Sequence, residues 1–320
     1  MVWDTIRSRD VRTGPVEEWG GIGYALEALS AGAPPGWEVV PLLKVGGDLE
    51  EQAVRYLQEL PRVEIGPGVV VVPEPNNRVE LQYEGGVRRS ERLQGGVPPW
   101  SWPELAPLVR DCDALYVNFI SGFEMELETA LALRDAFPGP TYADLHSLFL
   151  GVNQHGFRVP RPLPLWREWL RAFDAVQMNE AEFELLGQAW GDPWLLAADV
   201  VGPELKLMVV TLGAQGAGYV LAPGCRETPS SWPGLRHQIG VAGQALSGRV
   251  KGAAPPVEGD PTGCGDVWGA TFFVHLLQET ALEEAMETAN LWAARNVSHR
   301  GARGLRHHLK GRLAPEGRGP

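Results

Sequence analysis

Asp260-Pro261-Thr262-Gly263-Cys264-Gly265-Asp266 runs directly into an apolar segment that spans residues 266–278. Because that segment is apolar almost all round, it predicts a buried helix. Small residues at 263–265 let the backbone approach a ligand closely, and amides at a helix start favour an anion. An aspartate directly behind such amides can accept the proton of an attacking alcohol. The stretch therefore fits either an anion-binding turn with Asp266 as general base or a tight turn that only begins a helix.

A regular alternation of strand-like and helix-like segments precedes this turn. Apolar runs predict strands at 114–120, 141–145, 175–178 and 207–212, and helical spacing predicts helices at 127–137, 165–172 and 180–186. This order predicts an α/β fold with a mostly parallel central sheet and helices on both faces. Ligands of such sheets collect beyond the carboxyl ends of the strands.

The first hundred residues have a different pattern. Residues 78–84 and 87–93 alternate apolar and charged side chains around Gly85-Gly86, which predicts a β-hairpin. One face of such a hairpin would be half-buried and the other wet, unlike a strand inside a parallel sheet. We therefore expect a small β-sheet lid beside the main sheet. Helical spacing predicts helices within 20–32 and 49–60.

Two further motifs follow strand-like segments. Thr211-Leu212-Gly213-Ala214-Gln215-Gly216 has glycines that suit a phosphate-contacting turn, although glycine turns are common. Asn179-Glu180-Ala181-Glu182 places an amide and a carboxylate beyond a strand end, but the same spacing is typical of a helix capping box. None of the lysines follows a glycine, so the P-loop motif is absent.

Composition disfavours several classes of protein. The chain has 320 residues, 44% of them hydrophobic and 21% charged, which is ordinary for a globular protein. Its 28 basic and 40 acidic residues give a formal net charge of -12, which disfavours nucleic acid and anionic membranes as partners. The three cysteines are too widely spaced for a disulfide framework or a zinc site. No segment is apolar enough for a signal peptide or a membrane span, so we expect a cytoplasmic protein.

Together these motifs resemble those of the ribokinase-like carbohydrate kinase family, also called the PfkB family. Four segments carry the resemblance. Residues 260–266 are similar to the carboxy-terminal signature Asp-Thr-x-Gly-Ala-Gly-Asp, from which Pro261 and Cys264 depart. Residues 211–216 resemble the family's ATP-binding turn, residues 179–182 resemble its Asn-x-x-Glu magnesium motif, and Gly20-Gly21 resembles its sugar-side glycine pair. The resemblance implies one ribokinase-like α/β domain over 1–320, with a lid built from parts of about 8–20 and 65–100.

The resemblance also implies roles for individual residues. Asp266 would be the general base, and Gly263, Cys264 and Gly265 would form the anion hole. The residues implied to serve ATP binding are Asn179, Thr211, Gly213, Gly216 and Asn290. Those implied to serve metal ions are Glu182, which would orient Mg2+ through water, and Asp260, Thr262, Asn296, His299 and Gly301, which fall where the family often binds a monovalent cation such as K+. Those implied to serve the acceptor are Asp4, Gly20 and Gly21.

The chain departs from the family at three places. Asp4 matches a sugar-contacting aspartate that ends the family's first strand, but only three residues precede it. We therefore expect that strand to be largely missing from the middle of the sheet. Tyr24 and Ala25 stand where many sugar kinases have asparagine. Asp144-Leu145-His146-Ser147 replaces a more common Asp-x-Asn-x-Arg, and without that arginine a phosphorylated acceptor is disfavoured.

The motifs and the resemblance together predict an ATP-dependent, Mg2+-assisted kinase that phosphorylates a hydroxyl of a small sugar or polyol. A nucleoside kinase of the same fold is an alternative, and Trp3, Trp19 or Tyr24 could supply the aromatic cleft that it needs. A non-catalytic nucleotide or sugar sensor is another, because the first strand is missing. Lid sheets in this family often pair, so a homodimer through the lid is considered as well.

Cys264 stands where the family usually has alanine. It fits a small apolar filler. It also fits an activated thiol, because amides and a helix dipole that bind phosphate would favour the thiolate. The second interpretation predicts a thiol that alkylates readily and that MgATP protects.

Overall fold

The computed structural model describes residues 1–7, 15–84, 88–188, 190–225, 228–236, 243–253, 257 and 259–312. Its strands are β1 (Val2–Arg7), β2 (Val16–Trp19), β3 (Leu43–Gly46), β4 (Val69–Val72), β5 (Asn77–Glu84), β6 (Arg88–Gln94), β7 (Leu115–Asn118), β8 (Thr141–Asp144), β9 (Leu150–Val152), β10 (Arg158–Pro160), β11 (Ala175–Asn179), β12 (Leu207–Thr211), β13 (Ala217–Leu221) and β14 (Leu246–Val250). Its helices are α1 (Ile22–Gly32), α2 (Glu50–Gln58), α3 (Trp102–Val109), α4 (Leu127–Ala136), α5 (Trp166–Arg171), α6 (Glu180–Gly187), α7 (Pro193–Val200), α8 (Trp232–Leu235), α9 (Cys264–Leu277), α10 (Leu282–Val297) and α11 (Leu305–Leu309). Among these described helices, none has the length and apolar character that a membrane crossing requires.

Six strands form the main sheet, in the order β14-β13-β12-β11-β8-β7. The pairs β7–β8, β8–β11 and β11–β12 are parallel, and β13 and β14 extend one edge with antiparallel pairing. β8 is buried along its whole length and β12 along all but its last residue. Such continuous burial is typical of strands covered on both faces. The mostly parallel α/β sheet predicted from the sequence is confirmed.

Helices cover both faces of the main sheet. Tyr142 of β8 lies in a core cluster with Phe272 and Phe273 of α9. The next residue of β8, Ala143, lies in a different cluster with Leu133 of α4. Because successive strand side chains point to opposite faces, α9 and α4 lie on opposite sides of the sheet.

α9 is the buried helix that the apolar segment predicts, but it begins two residues earlier, at Cys264. Gly263 is its N-cap and has a left-handed φ of 76°. From Val267 to Val274 the helix is buried without interruption. One side of α9 contacts the main sheet, and the other contacts α1 through its alanines.

A small separate sheet has the order β2-β1-β5-β6. β5 and β6 pair antiparallel with Val79 opposite Leu93, which confirms the hairpin, while its Gly85-Gly86 turn lies outside the described residues. β1 pairs antiparallel with β2 and parallel with β5. Asp4 therefore lies inside a strand of the small sheet, and its expected place at the end of a main-sheet strand is wrong.

β3 and β4 form a parallel pair apart from both sheets, and β9 and β10 form a short antiparallel pair. Within the described part of the chain, β3 pairs only with β4, and β7, the edge of the main sheet, pairs only with β8.

A buried carboxylate ties the amino ends of the main-sheet strands together. Asp174 directly precedes β11 and is fully buried. Its Oδ1 accepts hydrogen bonds from Arg134 Nη1 at 2.9 Å, Lys206 Nζ at 3.1 Å and Arg236 Nε at 3.1 Å. Burial raises the pKa of Asp174, but the three cations outweigh it and lower the pKa below the usual value. This cluster lies at the opposite end of β11 from Asn179, the candidate nucleotide-binding residue.

Candidate functional site

The carboxyl ends of β7, β8 and β11 meet the start of α9. Asn118 ends β7, and its Nδ2 donates a hydrogen bond of 2.7 Å to Oδ1 of Asp266 in the first turn of α9. Both side chains are buried. Within the described part of the chain, Asn118 Oδ1 is buried without a hydrogen-bond partner. Asp266 is thus fixed at the edge of the sheet where ligands of α/β folds collect.

The turn before Asp266 is tight on one side and open on the other. A Cβ on Gly263 would lie 2.3 Å from ring atoms of Tyr24, and the positive φ also favours glycine. A Cβ on Gly265 would meet only Gln177 Nε2, at 3.9 Å, so open space adjoins Gly265. The first amides of a helix have no partner within it, so the first turn of α9 can offer donors to an anion in that space.

Cys264 does not face this space. Its amide donates to the Pro261 carbonyl at 3.1 Å, so one of the expected anion-hole amides is already engaged. Its Sγ lies against α10, 3.5 Å from the carbonyl oxygen of Ala293 and 3.3 Å from Nδ2 of Asn296. Burial raises the pKa of the thiol to about 11. The expectation of an activated thiolate is therefore wrong, and the filler interpretation fits.

Tyr24 lies where several acidic side chains converge. It is buried against Gly263, and its pKa is raised first by burial and then by the charges of Asp4, Asp260, Glu18 and Asp266. The pKa of one hydroxyl is therefore raised by carboxylates from three places: β1, β2 and both ends of the 260–266 turn. Several carboxylates therefore lie close enough to the Tyr24 hydroxyl to disfavour its ionisation.

The candidate acceptor residues lie together. A Cβ on Gly20 would lie 2.2 Å from Oδ2 of Asp4, and a Cβ on Gly21 would lie 2.6 Å from Ile120. The Gly20 amide donates to the Val2 carbonyl at 3.0 Å, which joins the glycine pair to β1. Larger residues at 20 or 21 would displace Asp4 or Ile120, so close approach explains both glycines.

His146 is a residue of this site that the sequence analysis did not select. Its Nδ1 lies 3.4 Å from Oδ1 of Asp144. Ring nitrogen and carboxylate oxygens of His146, Asp144 and Asp266 all lie within 4.8 Å of one another. Burial lowers the pKa of His146, but the neighbouring carboxylates, Asp144 first, raise it overall to about 9. These three side chains present a mixed oxygen and nitrogen set that could hold a divalent cation or a shared proton.

Gln177 is a second residue missed from the sequence. Its Nε2 donates to Asp144 Oδ2 at 3.1 Å and to the Gly265 carbonyl at 3.0 Å, and its Oε1 accepts from the Tyr142 hydroxyl at 2.8 Å. It therefore links two strands to the turn before Asp266. A glutamine inside an otherwise apolar strand was the available signal, as was the asparagine that ends the apolar run at 118.

Asn179 and Glu182 form a helix capping box, which is one of the two interpretations that their spacing in the sequence permits. Asn179 Oδ1 accepts from the Glu182 amide at 3.0 Å. The Glu182 carboxylate accepts from the Asn179 amide at 2.7 Å and from Asn179 Nδ2 at 2.6 Å. Both carboxylate oxygens of Glu182 thus contact Asn179 at the start of α6.

The candidate nucleotide turn follows β12, with Thr211 as the last residue of the strand. Gly213 has a φ of 57°, and no atom lies within 4 Å of a Cβ placed there. Gly216 has a φ of 96°, and a Cβ there would lie 2.1 Å from the Val250 carbonyl oxygen. Gly216 therefore serves contact with β14, whereas Gly213 adjoins open space.

Asn290 is engaged inside the protein. Its Oδ1 accepts from Trp268 Nε1 at 2.7 Å, and its Nδ2 donates to the Lys251 carbonyl at 3.0 Å. The side chain therefore holds α10 against α9 and the segment after β14.

Three of the five residues implied for a monovalent cation lie together. Asp260 Oδ1 accepts from the Thr262 amide at 2.9 Å and from its hydroxyl at 2.6 Å. Asn296 Nδ2 donates to the Thr262 carbonyl at 2.8 Å. Asn296 Oδ1 is buried and has no hydrogen-bond partner among the residues that the structure describes. An oxygen of this kind is available to a cation.

The other two residues make different contacts. The His299 ring stacks on His308 with centroids 5.3 Å apart and lies 3.2 Å from the Arg303 carbonyl. Gly301 has a φ of 80° and lies against the Glu18 carboxylate.

Three solved structures relate this arrangement to known proteins. A pyrophosphate-dependent kinase in the ribokinase family, solved as a sulfate complex, is 16% identical, with a TM-score of 0.68 over 97% of this chain and 96% of that one. An adenosine kinase from Sinorhizobium meliloti is 17% identical, with a TM-score of 0.68 over 97% of this chain and 89% of that one. A putative ribokinase II from E. coli, in complex with ATP and Mg2+, is 18% identical, with a TM-score of 0.68 over 94% of this chain and 91% of that one.

No family model matches the chain, and no curated protein matches it by sequence. The likeness to solved structures is therefore one of fold. It extends over nearly the whole chain and agrees with the main sheet, its helices and the small separate sheet. The chain has the fold of the ribokinase-family kinases, as its motifs predicted.

Proposed function

We propose that this protein is an ATP-dependent, Mg2+-assisted kinase that transfers the γ-phosphoryl group to a hydroxyl of a small, uncharged sugar or polyol. The observation that carries the proposal is the placement of Asp266. Its buried carboxylate accepts a hydrogen bond from Asn118 and lies in the first turn of α9, beside the open space at Gly265. A base, helix-start amides and room for an anion are the parts that phosphoryl transfer needs.

In the proposed reaction, Asp266 accepts the proton of the acceptor hydroxyl as its oxygen forms a bond to the γ-phosphorus. The bond from that phosphorus to the oxygen of the leaving ADP breaks in the same displacement. Amides of the first turn of α9 stabilise the negative charge on the transferred phosphoryl oxygens. Asn118 donates a hydrogen bond to Oδ1 of Asp266 and so orients the carboxylate towards the acceptor.

Mg2+, when bound, supplies positive charge to the donor phosphates. Glu182 would orient it through water, and its carboxylate is fixed by Asn179 at the start of α6. Asp260, Thr262 and Asn296 would hold a monovalent cation, for which the unpartnered Asn296 Oδ1 is the supporting observation.

Charge supports an uncharged acceptor. Asp4, Glu18, Asp260 and Asp266 all act on the Tyr24 hydroxyl. A phosphorylated sugar would bring two further negative charges towards these carboxylates, and like charges in a buried site repel strongly. A neutral polyol can instead donate its hydroxyls to them.

The aromatic residues considered for a nucleoside acceptor are largely used in the core. Trp19 and Tyr24 are 5% and 2% exposed. Trp3 packs edge-on against Trp19, with ring centroids 4.9 Å apart. A nucleoside base would have to displace these contacts. They therefore favour a sugar or polyol kinase over a nucleoside kinase.

Pyrophosphate is a second candidate donor. Asn290, which the resemblance implies for the adenine pocket, has both polar ends engaged by Trp268 and the Lys251 carbonyl. A donor without adenine would not need that residue. The structural neighbours include pyrophosphate-dependent kinases in the ribokinase family, one of them complexed with a pyrophosphate analog and myo-inositol.

The test is a matrix of donors and acceptors. The protein is incubated with ATP or pyrophosphate and Mg2+, with neutral sugars, polyols including myo-inositol, and nucleosides including inosine, and phosphorylated product is measured directly. We expect transfer to at least one sugar or polyol and none in Asp266→Asn. If a donor binds, as measured by thermal stabilisation, but no phosphoryl group is transferred to any acceptor, the kinase proposal is wrong. The protein would then be a non-catalytic sensor.

A further inference from the structure

The β9–β10 hairpin is attached to the edge of the small sheet. Phe157 forms a bridge with Arg92 of β6, and the Leu93 amide donates a hydrogen bond of 2.9 Å to the Gly156 carbonyl. The hairpin therefore continues the small sheet beyond β6. Along the chain, however, it follows β8 of the main sheet. It is thus placed where the two sheets approach each other.

Arg158 of β10 contacts both sides of this junction. Its side chain is 5% exposed, and its Nη1 lies 3.3 Å from Oε2 of Glu91 in β6, whose side chain is 11% exposed. Its Nη2 donates to the carbonyl of Ile120, after β7, at 3.0 Å and to the hydroxyl of Ser147, after β8. Ser147 Oγ in turn donates to the Ile120 carbonyl at 2.6 Å. One guanidinium therefore joins the small sheet to the two loops that follow β7 and β8.

The chemistry of this contact requires arginine. A guanidinium is planar and carries five N–H donors in fixed directions, so it can contact a carboxylate, a carbonyl and a hydroxyl at once. Lysine has the same charge but offers it as a single point. Because the pair with Glu91 is nearly buried, loss of either partner leaves a charge in the interior without its counter-charge.

Glu91 lies on the same face of the small sheet as Asp4, the candidate acceptor residue. Ile6 follows Asp4 by two positions in β1 and pairs with Leu81, and Leu81 pairs with Glu91. Residues two apart along a strand share a face, as do paired residues on neighbouring strands. The same face packs on the Ile120 side chain in one apolar cluster. The contact that Arg158 makes with Glu91 is therefore made on the face that carries Asp4.

We propose that Arg158 is a positioning residue that holds the face carrying Asp4 against the loops after β7 and β8. Asp4 belongs to the small sheet, whereas Asp266 lies at the start of α9 beside the end of β7. An acceptor that contacts both carboxylates needs them at one separation, and Arg158 supplies a buried polar link between the two sheets. The link itself does not depend on the activity, while its effect on the acceptor rests on the proposed function.

The test uses four variants. Arg158→Met keeps the length of the side chain and removes its charge and donors. Glu91→Gln is milder, because it keeps the shape and removes only the charge. Arg158→Lys keeps the charge without the planar group. Arg7→Met is the matched control, since exposed Arg7 pairs with Glu80 inside the small sheet and contributes nothing to the junction.

Two kinds of measurement are made on each variant. Hydrogen exchange of the amides in 88–94 reports whether β6 is held at the junction. KM and kcat are measured with the donor, and with the acceptor that the unaltered protein phosphorylates fastest among neutral sugars and polyols, including myo-inositol.

Arg158→Met is expected to speed exchange in 88–94 by about tenfold and Glu91→Gln by about threefold. Arg158→Met should also raise KM for the acceptor by about tenfold, while kcat and the donor KM change less than about threefold. Arg158→Lys should recover only part of the loss. Arg7→Met should change none of these values. Arg158→Met combined with Glu91→Gln should match Arg158→Met alone, because the two residues act through one contact.

Exchange in 88–94 that equals that of the control in both Arg158→Met and Glu91→Gln would overturn the link. Faster exchange with an unchanged acceptor KM, or with an equal rise in the donor KM, would overturn the positioning role. Full recovery in Arg158→Lys would show that charge alone is sufficient and overturn the bridging geometry. If Arg158→Met does not fold, Glu91→Gln decides by the same criteria.

Failure of the proposed function gives a different result. The unaltered protein would then phosphorylate no acceptor, and the exchange measurements would still decide whether Arg158 links the two sheets.

Discussion

Asn118 at the end of β7 donates a 2.7 Å hydrogen bond to Asp266 at the start of α9, across 148 positions of sequence. The bond joins the main sheet to the helix that packs on it and orients one carboxylate oxygen of Asp266. It links Asp266, which the glycine turn selects from the sequence, to Asn118, which the sequence analysis did not select.

Asp266→Asn should lower kcat by about two to four orders of magnitude while donor binding stays nearly intact. The amide keeps the shape and a hydrogen-bonding oxygen but cannot accept the acceptor proton. Steady-state rates and donor affinity by calorimetry measure the two effects. A variant that keeps more than a tenth of the normal rate would remove Asp266 from the role of base.

Asn118→Ala should lower kcat by about tenfold to a hundredfold with little change in KM, because the residue orients Asp266 and the carboxylate loses a buried donor. Thr129→Ala is a matched control for loss of a buried polar side chain away from the site. A rise in KM with unchanged kcat would mean that Asn118 binds the acceptor instead.

The chain order of strands and helices could be predicted because buried strands are continuous apolar runs. β12 and α4 end within one residue of their predicted limits. The exact start of α9 could not be predicted, since glycine at 263 permits several conformations and the left-handed one makes it the N-cap.

The candidate site was predicted in part. The glycine turn and Asp266 carry local signals, so their order in sequence is enough to select them. Asn118, His146 and Gln177 join the site through strand order and register, which place them beside residues far away in sequence. Cys264 was placed in the right turn, but the direction of its side chain depends on packing against α10.

Glu182→Gln separates the two contacts of that carboxylate. The capping contact predicts a loss of about 0.5 to 2 kcal/mol in the free energy of unfolding. The proposed role with Mg2+ predicts in addition a several-fold rise in the Mg2+ concentration that gives half the maximal rate. Melting curves and a Mg2+ titration measure both. If the Mg2+ titration is unshifted and only the melting temperature falls, Glu182 caps α6 and has no role with Mg2+.

His146 should make stability depend on pH. Its pKa of about 9 in the folded chain lies above the usual value near 6.5, so it contributes stability that is fully present below pH 6.5. That contribution is lost as the pH rises through 9. His146→Asn should therefore narrow the difference in unfolding free energy between pH 6 and pH 9.5, by at most about 3 kcal/mol. Equal pH profiles for both proteins would contradict the raised pKa.

Asp174→Asn should be strongly destabilising although it lies far from the candidate site. The fully buried carboxylate balances Arg134, Lys206 and Arg236, and an amide would leave these cations without their counter-charge. Removing one partner of a buried ion network costs about 3 to 5 kcal/mol. Its lowered pKa means that the contribution is present above the usual value near 3.9 and is lost as the pH falls through the folded value.

Urea unfolding at pH 7 and at pH 3 measures the Asp174 effect and its pH dependence. Asp192→Asn is the matched control, because Asp192 is exposed and caps α7 through the amides of Trp194 and Leu195, a role that asparagine also fills. The control should change stability by less than about 0.5 kcal/mol. At temperatures where Asp174→Asn is folded, its kcat should match that of the unaltered protein, since the cluster lies at the amino ends of the strands. A stability loss no larger than that of the control would show that the three cations find other partners or lose their charge when the carboxylate is removed.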